Sequence, residues 1–193
     1  MIRCRALRPR PRIARARGFT LIELLVTLSI AAVLAMVAAP SVQDLVANSR
    51  LKSHAGAIQN SLLMARSEAI KRKLRVVACK SADQASCTAS GGWEQGWIVF
   101  VDSNDSASVD AGEAILEKVA TLSGSFQLRG GGNLSDYVSF TSTGSPKVKA
   151  SDVFQTGEML LCPAAGGESR RVELFATGRF SFSKTTVSTC TPS

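Results

Sequence analysis

The sequence contains one histidine, His54, and it lacks the residue clusters on which most enzyme active sites depend. A Ser-His-Asp triad, a Cys-His pair or a histidine-containing metal cluster cannot be assembled around one histidine in a predicted helix. The cysteines lack the Cys-x-x-Cys spacing of redox and zinc sites, and no Walker-type phosphate loop accompanies the glycines at 130 to 132. The sequence therefore predicts a protein that is not an enzyme and uses no cofactor.

Acidic residues are absent from the first eighteen positions, which contain seven arginines: Arg3, Arg5, Arg8, Arg10, Arg12, Arg15 and Arg17. The formal charge of +8 comes mostly from this segment, because the rest of the chain has sixteen basic side chains, twenty-three less seven, against fifteen acidic ones. The overall charge is therefore no evidence for a nucleic-acid-binding fold.

Residues from Phe19 to Ala39 contain only one charged side chain, Glu23. A helix of that length rises about 30 Å, which is enough to cross the hydrocarbon of a bilayer. The preceding arginines place the amino end in the cytoplasm and everything after Pro40 on the other side. The sequence predicts a single-pass protein of a bacterial inner membrane, with the remainder of the chain in the periplasm.

Four of the five cysteines would face an oxidising compartment in that orientation, and only Cys4 would not. Four cysteines allow three pairings. We favour Cys79 with Cys87, which closes a short loop, and Cys162 with Cys190, which holds the carboxy end.

A conventional secretory signal is the first alternative for the amino end, with cleavage after Val37-Ala38-Ala39. It is disfavoured because the apolar run is too long, Glu23 interrupts it, and Pro40 would follow the cut.

The segment Gly18-Phe19-Thr20-Leu21-Ile22-Glu23 instead resembles the type III signal of prepilins, in which a basic leader ends in Gly and an apolar helix carries Glu at its fifth position. The resemblance implies that a prepilin peptidase cleaves between Gly18 and Phe19 and methylates the new amine of Phe19. It also implies that the apolar helix stays on the mature protein.

Glu23 needs a partner in a membrane, because a carboxylate at the centre of a membrane helix costs about 2.5 to 3.5 kcal/mol. The resemblance implies that Glu23 pairs with the Phe19 amine of a neighbouring subunit during assembly. The structural alternative is a carboxylate that lies close to the membrane surface, is stabilised there by the positive amino end of the helix, and has no other role.

Apolar residues after Pro40 recur at helical spacing, at Ala55, Ile58, Leu62, Ala65 and Ala69, so one helix is predicted from about Phe19 to Lys73. Short strand-like runs follow: Arg75 to Cys79, Trp97 to Val101, Ala114 to Ala120, Ser125 to Leu128, Tyr137 to Phe140, Met159 to Leu161, Arg171 to Ala176 and Phe180 to Ser183. The predicted class is α+β, with a long helix packed on one or two antiparallel sheets. Three segments are expected: a cleaved leader (1–18), a membrane and assembly half of the helix (19–47), and a periplasmic head (48–193).

Three motifs resemble the FimT/GspH family of type IV minor pilins and type II secretion pseudopilins: residues 65 to 72 (ARSEAIKR), 96 to 102 (GWIVFVD) and 177 to 179 (TGR). The resemblance implies a type IV pilin fold and a structural subunit of a pilus, with a pseudopilin of a type II secretion system as the alternative. The implied partners are the prepilin peptidase, other pilins or pseudopilins through the amino-terminal helix, and an inner-membrane assembly platform.

Two binding hypotheses concern the head. Oxygen ligands cluster at Asp102, Asn104, Asp105 and Asp110, which makes a calcium site an alternative to a solvated loop, although the spacing departs from the EF-hand and its glycine is missing. Candidate contacts to double-stranded DNA are Arg170, Arg171, Gly178, Arg179 and Lys184. Gly178-Arg179 matches only the first half of the Gly-Arg-x-Arg motif of FimT-type pilins implicated in DNA uptake.

Overall fold

The computed structural model describes residues 18 to 192, apart from the side chains of residues 37 to 44. The chain divides into two compact units, Met1–Asp44 and Leu45–Ser193. The leader, including Cys4, lies outside the described residues as far as residue 17.

One helix, α1 (Leu21–Arg72), begins in the first unit and ends in the second. Pro40 does not end it, as predicted, because proline removes one hydrogen bond and leaves the rest of the helical ladder in place. The helix stops at Lys73, which adopts a left-handed conformation with φ of 59°.

Eight strands follow: β1 (Arg75–Lys80), β2 (Trp97–Asp102), β3 (Ile115–Val119), β4 (Phe126–Gly130), β5 (Tyr137–Phe140), β6 (Gly157–Pro163), β7 (Gly167–Leu174) and β8 (Phe180–Val187). Two short 3₁₀ helices, Trp93–Gln95 and Gly132–Leu134, lie between them. The strands form two four-stranded antiparallel sheets, in the orders β3-β2-β1-β5 and β4-β6-β7-β8. The predicted α+β class is confirmed, with two sheets.

The main core lies between the helix and both sheets. Ile58, Leu62, Ala65 and Ala69 of the predicted apolar stripe are fully buried there, and Ala55 packs at its margin. Both tryptophans of the chain, Trp93 and Trp97, are also completely buried in it. Burial of these side chains supplies the main stabilising free energy, at about 25 cal/mol per Å² of apolar surface.

β1 and β2 are buried on both faces, which explains why they read as continuous apolar runs. One face contributes Val76, Ala78, Trp97 and Val99 to the main core. The other face forms a second, smaller core from Val77, Cys79, Ile98, Phe100 and Ala107. The loop after β2 covers this second core through Ala107.

Candidate functional site

The amino end of α1 is closed by reciprocal hydrogen bonds between Thr20 and Glu23. The backbone N–H and the hydroxyl of Thr20 each donate to Oε2 of Glu23 at 3.1 Å, and the N–H of Glu23 donates to Oγ1 of Thr20 at 3.3 Å. This arrangement is a capping box, which satisfies backbone donors at a helix start. The Thr-x-x-Glu spacing before an apolar run indicates such a box from sequence alone, and the sequence analysis missed it.

The first turns of α1 expose apolar side chains on every side. All large apolar residues from Phe19 to Met36 are exposed, from 50% for Val26 to 87% for Phe19. A helix that is apolar all round is stable only when a membrane or other protein segments cover it. The predicted span ends within residues 37 to 44, outside the described side chains. Among the residues whose side chains are described, no helix is both long and apolar enough to cross a membrane.

Arg66, in the first of the three family motifs, holds two turns of the head together. Its Nε donates to the carbonyl of Gly144 at 3.0 Å, and a terminal nitrogen donates to the carbonyl of Thr177 at 3.1 Å. Gly178 sits between them with φ of 73°, where a Cβ would lie 2.4 Å from the oxygen of Gly144. Two of the motifs therefore meet, and Gly178 has a structural role there.

The remaining motif also contacts the helix. The indole N–H of Trp97 donates to the hydroxyl of Ser61 at 2.9 Å, in the buried core. Gly96 precedes it with φ of 111°, and a Cβ there would lie 2.6 Å from the carbonyl oxygen of Val119. All three motifs thus contribute contacts between the helix and the rest of the head.

The candidate DNA contacts are spread over two faces of the second sheet and a turn, although Arg170, Arg171 and Lys184 all border one groove. In the register of the second sheet Arg170 pairs with Leu161 and Lys184, whereas Arg171 pairs with Leu160 and Ser183. Because adjacent residues of a strand point to opposite faces, Arg170 and Lys184 face the helix side and Arg171 faces the other side. Arg179 lies in the turn before β8, five residues or about 16 Å from Lys184 along the chain.

These cations also have protein partners. A guanidinium nitrogen of Arg170 lies 2.7 Å from Oε1 of Glu168, and Nζ of Lys184 lies 3.7 Å from the same oxygen. The hydrogen bond from Arg170 lowers the pKa of Glu168 below its ordinary value. Arg171 pairs with Glu158 at 3.0 Å, and Arg179 stacks 5.5 Å from the ring centre of Phe175. The predicted cationic patch is therefore divided and largely neutralised.

The acidic loop after β2 uses its oxygens to hold its own backbone. Asp102 accepts hydrogen bonds from the N–H groups of Ser106 and Ala107, and its burial raises its pKa. Asn104 donates to Asp110, lowering the pKa of that carboxyl. Asp105 pairs with Arg75 of β1 at 2.8 Å. The described residues include no group of three or more His, Cys, Asp or Glu side chains suited to a metal ion.

His54 belongs to the packing of the head. Its Nε2 lies 3.0 Å from the carbonyl oxygen of Ser123, and its ring meets that of Phe126 edge-on at 5.2 Å.

Disulfides join Cys79 to Cys87 and Cys162 to Cys190, the pairing favoured from the sequence. The first joins cysteines eight positions apart in the sequence and lies beside the second core. The second ties the end of the chain to β6, where Sγ of Cys190 lies 3.6 Å from the carbonyl oxygens of Gln127 and Leu160.

Comparison with known families gives two matches. The model of the type II transport protein GspH family matches residues 54–178. The prokaryotic N-terminal methylation motif matches residues 13–39. No curated protein sequence matches the chain.

Two crystal structures of the type IV minor pilin FimU from Pseudomonas aeruginosa share the fold, at 18% sequence identity. The form in space group P21 aligns with a TM-score of 0.56 over 75% of this chain and 97% of the FimU chain. The form in space group P65 aligns with a TM-score of 0.54 over 73% and 100%.

Proposed function

Because the chain belongs to the GspH family of type II transport proteins and carries the N-terminal methylation motif, we propose that it is a minor pilin, a structural subunit of a type IV pilus. The observation that carries the proposal is the segment from residue 19 to 36, which includes the start of α1 and whose large apolar side chains are all exposed. Such a surface is covered by lipid before assembly and by the helices of other subunits in a filament. The described residues of the head include no group of three or more His, Cys, Asp or Glu side chains that could hold a metal ion.

The precursor is a single-pass inner-membrane protein with its amino end in the cytoplasm and its head in the periplasm. The arginine-rich leader favours this orientation, and both disulfides of the head suit an oxidising compartment. A prepilin peptidase cleaves between Gly18 and Phe19 and methylates the amine of Phe19. The processed subunit then joins other pilins at an inner-membrane assembly platform.

Glu23 pairs with the methylated amine of a neighbouring subunit in this proposal. The capping box supports a second role, because Oε2 of Glu23 already accepts two hydrogen bonds from Thr20. The two roles are compatible, since a carboxylate has about four acceptor sites and Thr20 occupies one oxygen.

The two roles of Glu23 are separated by comparing Glu23→Gln with Thr20→Ala. Both variants should be cleaved by the peptidase, because neither changes Gly18 or Phe19. Glu23→Gln should reduce incorporation into sheared filaments about tenfold, whereas Thr20→Ala, which only opens the cap, should be incorporated nearly normally. Immunoblots of sheared filaments and membranes measure both. Normal incorporation of Glu23→Gln, which keeps the capping box, together with a loss in Thr20→Ala would mean that Glu23 acts as a helix cap alone.

A minor pseudopilin of a type II secretion system is the alternative function, since the same helix and head would serve a periplasmic filament. Deleting the gene in the encoding bacterium separates the two. Loss of surface pili with normal protein secretion supports the pilus, and loss of secretion with normal pili supports the pseudopilus. DNA uptake is not proposed, because the candidate cations are divided between two faces and a turn.

A further inference from the structure

A groove of about 290 Å³ runs along the head between α1 and β8. Its helix wall includes Lys52, Ala55 and Gly56, and its sheet wall includes Arg170, Phe182 and Lys184. We call it the β8 groove. All these residues belong to the second compact unit.

Gly56 keeps the β8 groove open. A Cβ at this position would meet no atom within 4 Å, and φ of Gly56 is not positive, so neither the backbone nor a close contact requires glycine. Glycine inside a helix costs about 1 kcal/mol relative to alanine. Gly56 therefore lowers the stability of the helix and leaves open space beside β8.

The edge of the second sheet lies at this groove. β8 is the last strand of the order β4-β6-β7-β8, and the described backbone hydrogen bonds of β8 run to β7 alone. Phe182, Ser183 and Lys184 of this edge strand line the groove, together with Arg170 and Arg171 of β7. A free edge of this kind accepts another extended chain through main-chain hydrogen bonds.

The groove carries positive charge above an apolar wall. Lys52 is exposed, Lys184 has 69% of its side chain exposed, and Arg170 lies behind them. Glu168 is the acid that faces these cations, and it is shared by Arg170 and Lys184. Arg171 also lines the groove and pairs with Glu158, so two carboxylates stand against four cations. This leaves a surplus of positive charge beside Phe182, which is 37% exposed.

We infer that the β8 groove binds an extended acidic segment of another protein, which adds to β8 as a further strand. A carboxylate of that segment lies between Lys52 and Lys184, and a neighbouring apolar side chain packs on Phe182 and over Gly56. The arginine-rich leader of this chain does not suit the groove, because it carries the same charge. Duplex DNA is disfavoured because its affinity depends on contacts to many phosphates, and the recessed groove has few cations. The inference concerns the head alone and is independent of which filament the subunit joins.

Selection from a display library tests this inference on the full chain in detergent micelles. The probes are random peptides about twelve residues long, a length that covers one strand and its flanks. Peptides are selected on the natural chain and counter-selected on Gly56→Leu, which fills the groove without changing its charge. Asn60→Leu, at an exposed position of the same helix, is the matched control and should still bind every selected peptide. Circular dichroism of each variant verifies folding.

Selected peptides should carry at least one Asp or Glu, and replacing it with Gln or Asn should weaken binding about tenfold. Lys184→Glu should weaken binding by at least as much, whereas Lys118→Glu, exposed on β3 in the other sheet, should not. The inference is overturned if no peptide is enriched, if the enriched peptides are neutral or basic, or if they bind Gly56→Leu as well as the natural chain. A duplex oligonucleotide that competes with the peptides, and that binds Gly56→Leu more weakly than the natural chain, would show that the groove binds nucleic acid. That result would also overturn the inference.

Discussion

Gly178 lies between the two turns that Arg66 of the helix holds together, and its conformation is one that only glycine adopts without strain. Its positive φ is a backbone conformation that other residues rarely adopt, and the oxygen of Gly144 leaves no space for a Cβ. Gly112 has a positive φ of 90° as well, but a Cβ there would meet nothing within 4 Å. The two glycines therefore separate backbone strain from steric contact.

Gly178→Ala should lower the free energy of unfolding by about 2–4 kcal/mol, because strain and contact add. Gly112→Ala should cost about 1 kcal/mol from strain alone. Urea denaturation of the head, residues 45–193, measures both values. Equal effects would mean that the turn at Gly144 moves aside without cost.

Glu168 makes the stability of the head depend on pH. Since Arg170 lowers its pKa, the carboxylate contributes stability above its unfolded pKa of about 4.3, and that stability is lost as pH falls through the lowered pKa of the folded state. Glu168→Gln should therefore lower the urea midpoint at pH 7, and the difference from the natural protein should shrink steadily below about pH 4. Glu173→Gln, on the opposite face of β7, is the control for removing one negative charge. A difference that stays constant with pH would contradict the pairing.

Among the elements, the helix and the strands followed from periodicity and composition. α1 was predicted from Phe19 to Lys73 and runs Leu21–Arg72, and each of the eight predicted strands has a counterpart. The largest shifts are at the start of β7, predicted at Arg171 and found at Gly167, and at the end of β8, predicted at Ser183 and found at Val187. Gly166, with φ of 77°, makes the turn before β7, and pairing between β7 and β8 then extends both strands over residues 167 to 169 and 185 to 187.

The two disulfides close loops of different length. In the loop-entropy model a separation of 28 residues for Cys162–Cys190 gives about 3.6 kcal/mol, and a separation of 8 for Cys79–Cys87 gives about 2.5 kcal/mol. Replacing both cysteines of a pair by serine should therefore cost more at the carboxy end. Thermal and urea unfolding of the two double variants measure the order. A larger loss at Cys79–Cys87 would indicate that packing on the second core outweighs loop entropy there.

At the scale of the whole molecule, sequence patterns predict which helix or strand a residue belongs to. They do not predict which face of a sheet its side chain lies on or which residues lie beside it there. Arg170 and Arg171 are adjacent in sequence, and only strand register shows that they point to opposite faces. The partners Glu168 and Glu158 depend on the same register. The β8 groove depends on which strand ends the sheet beside Gly56, which no local pattern encodes.

The separation of the candidate basic side chains between two sheet faces and a turn leads to a prediction about DNA binding. The head, residues 45–193, should show no salt-sensitive binding to duplex DNA, since no face presents more than a few cations and most have acidic partners. Anisotropy of a labelled duplex across a salt series measures this. Binding that falls steeply with salt and disappears when Arg170, Arg171, Arg179 and Lys184 are changed to Gln would contradict it.

Both tryptophans lie in the head, fully buried, with indole N–H groups that donate to Ser61 and to the carbonyls of Leu134 and Ser135. The chain has no others, and its single tyrosine, Tyr137, is also in the head. Ultraviolet emission from this protein is therefore an unlabelled optical signal of one compact unit. The amino-terminal helix adds no tryptophan or tyrosine to it, so emission from the purified protein follows folding of the head even when the helix is covered by lipid.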